Sequence, residues 1–328
     1  MSEFTDSIQD TVDKYVKYLR LSFLGALSEY SKLFYESENF DSLLEGETNG
    51  NIPLDIDPVI FEGMLFGKNI SKDHFIFQNE FTDLFLAAAA IAYLSLPSSV
   101  KLKWSFNKLD AYISEIVSSK TNQIASELTL SIRQSLAYTL SNIIRSDASQ
   151  SVKLNMLKTQ MGLTPSQIKS VNNYRQQLEN RKLMGFTAPY DRLVSESDKL
   201  LLYNHMKGHA VLSQSVIDNL VSRYYNNLLV SRFEEVALGA TMTAANAATN
   251  AVWNQAYAIG AIDDTYRKFW VTMGDHKVRM THRAIPGMNP SGVKVNSMFI
   301  TPTGPVPYPM WGMGDYHRCR CVVILGKI

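Results

Sequence analysis

The sequence predicts an α+β protein, mainly helical through its N-terminal and middle regions and closed by a small β-containing C-terminal module. Three observations predict it. Apolar residues recur at steps of three and four over long stretches before Thr265. The segment GLTPSQ carries the start signal of a helix. After Thr265 the helical period gives way to short apolar runs separated by Gly- and Pro-containing loops. A chain of 328 residues, 45% hydrophobic and 19% charged, can hold two or three domains with cores of their own. The changes of character divide it into 1–150, 151–264 and 265–328.

Between Thr5 and Tyr35, Ile8, Val12, Tyr15, Val16, Leu19, Phe23 and Leu27 form the stripe of an amphipathic helix. The Gly-, Asn-, Asp- and Pro-rich stretch from Glu36 to Asp73 reads as a long irregular connection. Leu84 to Leu96 (LFLAAAAIAYLSL) is the most apolar run. At 13 residues it is short of the roughly 20 that span a bilayer, so it is expected as a buried helix. Ile124, Leu128, Ile132, Leu136, Leu140 and Ile143 give a further helix with one apolar stripe. In GLTPSQ, Thr164 suits the N-cap, Pro165 the first helical position, and Gln167 the reciprocal place of a capping box. The helix that follows is expected to bury Ile168, Val171 and Leu178 and to stop by Gly185. Ser213 opens another, with Val216, Ile217, Leu220, Val221, Tyr224 and Leu228 inward. A separate small-residue helix is expected over Ala240 to Gly260, where Asn246, Asn250 and Asn254 recur every four residues, and close packing is the favoured explanation of its composition. FWVTMGDHKVR, VKVNSMFIT and RCRCVVIL read as short strands, with PGMNPSG and PTGPVPYP as loops between them.

The balanced total charge conceals a gradient. Residues 1–63 carry 13 Asp and Glu against 4 Lys and Arg, a net of −9, whereas residues 265–328 carry 2 against 9, a net of +7. Such an acidic head and basic tail suit two different neighbours, the second a polyanion, although uneven surface charge for solubility accounts for it equally well. The start MSEFTD has no basic segment leading into an apolar one, so no secretory signal is expected and the chain is expected to stay in the cytosol where it is made. Two cysteines exclude a disulfide scaffold.

Both cysteines lie in HRCRC, His317 to Cys321. In a strand, His317, Cys319 and Cys321 share one face, but alternate residues are roughly 6.6 Å apart, stretched for two thiolates on one zinc ion. A metal site there needs a bend and a further ligand, for which His282, His276 and Asp275 are candidates. The metal set carried forward is His282, His317, Cys319 and Cys321. Buried free thiols packing the module are the favoured reading, with structural zinc and a regulatory disulfide left open. His205 and His209 have zincin spacing, yet Met206, Lys207 and Gly208 supply no glutamate base, and two surface histidines are the expected reading. No phosphate-binding loop, dinucleotide fingerprint or nucleophile elbow is present. Trp270, Asp275, Arg279 and His282 read as a structural cluster of hydrogen bonds and ion pairs rather than a hydrolytic set, so no enzyme is expected.

The same residues carry a family pattern. A GLTPSQ helix start, a helix ending in VSRFEEVA and a small-residue helix are followed by Lys268, Trp270, Asp275, Val278, Arg279, His282 and Gly287. Then come Phe299, Pro309 and Cys319-Arg320-Cys321. This order, with the spacing W-x4-D-x2-VR-x2-H, resembles the phage Mu F-like head morphogenesis proteins, minor capsid proteins of tailed bacteriophages. The resemblance covers Leu163 to Val323 and is strongest from Phe269 to Cys321. It departs at Gly239, Ala240 and Thr241, where relatives often have Arg-Thr-Glu.

It implies a minor head protein, present in few copies at the portal vertex of the procapsid. Such a protein is made in the host cytoplasm, retained in the virion, and in contact with the portal protein or major capsid protein and at times with double-stranded DNA. It implies no catalysis and no cofactor. On that reading the acidic head faces a basic portal or capsid surface and the basic tail faces DNA, with Arg267, Lys268, Lys277, Arg283, Arg318 and Arg320 as phosphate contacts. A DNA-binding ejection protein and a metal-dependent toxin-like enzyme are the competing classes. Direct, salt-sensitive DNA affinity marks the first of these, and metal-dependent activity marks the second.

Overall fold

The computed structural model describes residues 3–35, 76–101, 115–116, 119, 160, 162–180, 193–208, 211–310 and 319–328. The expected irregular connection over 36–73, the helix over 124–143, and Gly185, His209, His317 and Arg318 lie outside them. Among the described residues the helices are α1 (Glu3–Tyr35), α2 (Ile76–Leu94), the single turn α3 (Ser98–Lys101), α4 (Pro165–Asn180), α5 (Glu196–Met206), α6 (Gln214–Ala258) and α7 (Met280–Met288). The strands are β1 (Tyr266–Val271), β2 (Val293–Lys294) and β3 (Val322–Lys327). The protein is therefore α+β, its described residues mostly helical with a small three-stranded antiparallel sheet near the C-terminus. No helix among the described residues is long and apolar enough to cross a membrane.

The chain forms two compact units, each assembled from separated stretches. One comprises Met1–Phe23, Leu65–Glu127 and Glu234–Ile328, and the other Leu24–Met64 and Leu128–Phe233. These do not coincide with the divisions 1–150, 151–264 and 265–328. Changes of composition mark changes of local character, whereas a compact unit collects whichever stretches bury one another's apolar faces.

In the second unit, α4 begins as its sequence requires. The Thr164 amide donates to Gln167 Oε1 at 3.0 Å, and the Gln167 amide donates to Thr164 Oγ1 at 3.3 Å. This reciprocal pair satisfies donors that the first helical turn leaves unpartnered. Ile168, Val171, Tyr174 and Leu178 of α4 and Ile217, Leu220, Val221 and Tyr224 of α6 are buried, and the Tyr174 and Tyr224 rings lie 4.7 Å apart. His205 is buried, unlike the surface histidine expected. Its Nδ1 accepts from the Leu212 amide at 3.2 Å, which leaves Nε2–H to donate to the Leu178 carbonyl at 2.9 Å. Both ring nitrogens therefore tie chain segments together. Asp198 receives Arg223 through two hydrogen bonds, of 2.7 and 3.1 Å. At Gly162 the backbone is left-handed (φ 81°), and a Cβ there would lie 2.6 Å from Leu27 Cδ2.

α6 is one continuous helix, where a break before a separate small-residue helix was expected. A glycine inside a helix costs only about 1 kcal/mol. From Gly239 to Trp253 every residue is buried, so packing on all sides outweighs that cost. Ala244, Ala245, Ala247, Ala248 and Ala251 let neighbours approach the helix closely. Ile8 and Val12 of α1, Phe85, Ala88, Ala89 and Ala92 of α2, and the residues of the sheet all join it in the first unit's core. The helix ends at Gly260 (φ 71°), where the Ala261 amide donates to the Ala256 carbonyl at 2.9 Å, a left-handed glycine terminus.

The sheet has the order β2-β1-β3 and is antiparallel throughout. β1 pairs along its whole length with β3, Lys268 opposite Leu325 and Trp270 opposite Val323. Alternation sends Lys268 and Trp270 inward and leaves Arg267, Phe269 and Val271 half-exposed. The strand expected over FWVTMGDHKVR ends at Val271, and its remainder leads through a turn at Asp275 into α7. The expected PGMNPSG loop is partly helical, since Pro286 to Met288 complete α7. Asn289 then braces the next segment, its side chain donating to the Ile285 and Ile300 carbonyls at 2.9 Å and accepting from the Ile300 amide at 3.0 Å.

Candidate metal centre

The Asn stripe of α6 is what seats the C-terminal module. Asn246 Nδ2 donates to the Cys321 carbonyl at 3.1 Å, and Asn246 Oδ1 accepts from the Val323 amide at 3.3 Å. One side-chain amide thus satisfies a donor and an acceptor on the edge of β3 that β1 does not cover, and holds the chain just where the cysteines leave it. Asn250 Oδ1 accepts from Lys268 Nζ at 2.8 Å, and the Pro307 carbonyl accepts from the same nitrogen at 3.1 Å. Sequence reasoning noted the four-residue spacing of these asparagines but not their partners. An amide repeated along an otherwise small, apolar helix was the available signal.

Against this floor three side chains converge. His282 sits in the first turn of α7, and Cys319 and Cys321 immediately precede β3; all three are buried. His282 Nδ1 lies 3.5 Å from Cys319 Sγ and 3.6 Å from Cys321 Sγ, and the three ligand atoms all fall within 4.8 Å of one another. The cysteines are not in a strand. The Cys321 amide donates to Cys319 Sγ at 3.4 Å, which bends the C-x-C and removes the 6.6 Å separation an extended chain would impose. Both thiols are free. Trp270 closes one side, its ring edge-on to His282 (6.3 Å, 86°) and to Phe299 (5.5 Å, 81°).

The two thiols do not share their acidity equally. A hydrogen bond from Cys321, assisted by His282 and opposed by burial, draws Cys319 down to about 5. The same hydrogen bond, with burial and the neighbouring charge, pushes Cys321 well above the ordinary thiol range.

Of the expected structural cluster, Trp270 and His282 are in ring contact. Asp275 lies in the turn outside them and takes an ion pair from Arg320 at 2.5 Å, while its carbonyl accepts from Arg283 at 3.1 Å. Burial opposes ionisation of this carboxylate, but the Arg320 guanidinium and the Lys277 amide outweigh it and hold the carboxyl below its usual range. Arg279 is the N-cap residue of α7 and places positive charge near Cys321. His276 is exposed.

The expected phosphate contacts fare unequally. Lys268 is 1% exposed, so its ammonium cannot reach a phosphate, and its placement there is corrected. Its alternation puts it on the inner face of β1, where a buried cation needs the acceptors it has found. Arg320 is likewise engaged, its charge met by Asp275. Arg267, Lys277 and Arg283 remain at the surface in whole or in part.

Comparison with family models, with curated proteins and with solved structures finds no match.

Proposed function

We propose that this chain is a minor head protein of a tailed bacteriophage, of the Mu F-like kind, acting in procapsid assembly at the portal vertex and carried in the virion. One observation supports the reading above others. Lys268, Trp270, His282, Phe299, Cys319 and Cys321, residues on which the sequence resemblance rests, are all buried, and Trp270, Phe299, Cys319 and Cys321 belong to one core shared with α1, α2 and α6. A scattered motif whose members pack together describes a folded unit, as a family pattern must. The side chains of that unit are spent on holding it together: the one buried amine is capped by two acceptors, and the one aspartate of the motif is in an ion pair. The role proposed is therefore assembly and interaction, with no catalytic step.

The acidic N-terminal segment is the element proposed to face a basic head surface, and Arg267, Lys277 and Arg283 are the residues proposed to meet packaged DNA. The test is co-expression of the full chain with the portal and major capsid proteins of the same genome. Co-purification with the portal protein, weakened by salt, is the expected result. Binding to neither head protein, together with tight salt-sensitive binding to duplex DNA, would overturn the assembly reading in favour of an ejection protein.

A further inference from the structure

We propose that His282, Cys319 and Cys321 bind one divalent cation of the zinc class through Nδ1 and the two Sγ atoms, with the fourth tetrahedral position left to water or another donor. The ligand chemistry selects the metal: one imidazole and two thiolates suit zinc and exclude the oxygen-seeking magnesium and calcium.

The geometry agrees with the size of that ion. Zinc bonds of about 2.3 Å to sulfur and about 2.05 Å to nitrogen, at a tetrahedral angle, put sulfur and nitrogen roughly 3.5 Å apart. The two sulfur–nitrogen distances here are 3.5 and 3.6 Å. The imidazole nitrogen thus already stands at the zinc-bridging distance from each sulfur, and the sulfurs lie within 4.8 Å of one another.

The surroundings are those of a supported site. The Cys321 amide donates to Cys319 Sγ, so a donor is already aimed at one of the sulfurs where negative charge would gather. The backbone on either side of Cys321 is held by Asn246, and Arg320, between the cysteines, is anchored outward by Asp275. Charge balance favours the metal as well. Binding sends any thiol proton still held to solvent, and a dication with two thiolates and a neutral imidazole leaves a site of zero net charge, which a buried position accepts without an unpaired ion. The ion would tie the first turn of α7 to the start of β3, two elements joined otherwise by side-chain packing. This inference stands on the three ligands alone and does not depend on the head-protein reading.

The test uses the full chain, purified with reductant and dialysed first against zinc chloride and then against metal-free buffer. One zinc per chain by elemental mass spectrometry is expected, and cobalt(II) in its place should show thiolate-to-cobalt charge-transfer absorption. C319S and C321S should each lose stoichiometric zinc and that absorption. The wild-type measurement decides the matter even if those variants fail to fold. A folded wild-type chain that retains no zinc would overturn the proposal. So would cobalt bound without the thiolate band, or a chain found two mass units light from a Cys319–Cys321 disulfide.

Discussion

Lys268 is a cation in the sequence and a buried, hydrogen-bonded nitrogen in the fold. Burial lowers its pKa to about 8 from an ordinary 10.5. Between those two values the unfolded chain holds a proton that the folded chain has released, so the folded state gains stability as pH rises through that window. The wild-type protein should therefore gain thermal stability relative to Lys268→Met between pH about 8 and 10. Melting followed by circular dichroism checks this, and a difference that stays flat with pH would contradict the assignment. The sequence showed a lysine just before the expected strand start Phe269-Trp270, and alternation carried one step back could have placed it on the same face as Trp270. The missing information was which face the core would claim, because that depends on Asn250 and Pro307, far from Lys268 in the chain.

Among the elements, α6 shows most clearly how packing overrides local preference. Its composition changes at Gly239, which suggested two helices, yet the buried surroundings hold one helix through that point. The start of α4 lies at the other extreme. Thr164, Pro165 and Gln167 specify it within four residues, so it was fully legible from sequence. α7 was not anticipated, because Met280 to Met288 contains Pro286 and carries no side-chain cap at Arg279. Tertiary contacts of His282 and Ile285 hold it in place of local propensity. The seating of β3 on α6 gives the prediction at this scale. Asn246→Leu strips the Cys321 carbonyl and the Val323 amide of a buried partner, and should cost about 2 kcal/mol or more in chemical denaturation. An effect below about 0.5 kcal/mol would mean that water replaces the side chain there.

Across the whole molecule, stability should concentrate where burial is continuous. The third of α6 from Gly239 to Trp253 has no exposed residue, and it joins α1, α2 and the sheet in the core of one unit. Native-state hydrogen exchange should find the amides of Ala244 to Val252 among the slowest to exchange, opening only when that unit unfolds as a whole. Exchange there as fast as in the last turn of α6 would show that the helix opens locally. The charge gradient also changes meaning at this scale. The +7 counted over residues 265–328 includes Lys268, withdrawn into the core, and Arg320, met by Asp275, so the charge offered to a polyanion is smaller than the sequence total.

The sequence by itself determined the α+β class, the amphipathic face of α1, the apolar α2, the capped start of α4 and the glycine end of α6. Each of these depends on residues within a turn or two of one another, whose spacing or backbone preference acts locally. It also offered His282, Cys319 and Cys321 as ligands, but extended geometry set the cysteines too far apart to share one ion. Only the tertiary structure decided that they meet. The bend between the cysteines exists because Asn246, 75 positions away, holds the Cys321 carbonyl and because α7 brings His282 to the sulfurs. Interactions of that range leave no periodic trace in the chain, since their strength comes from a desolvated core that forms only when separated segments are packed together.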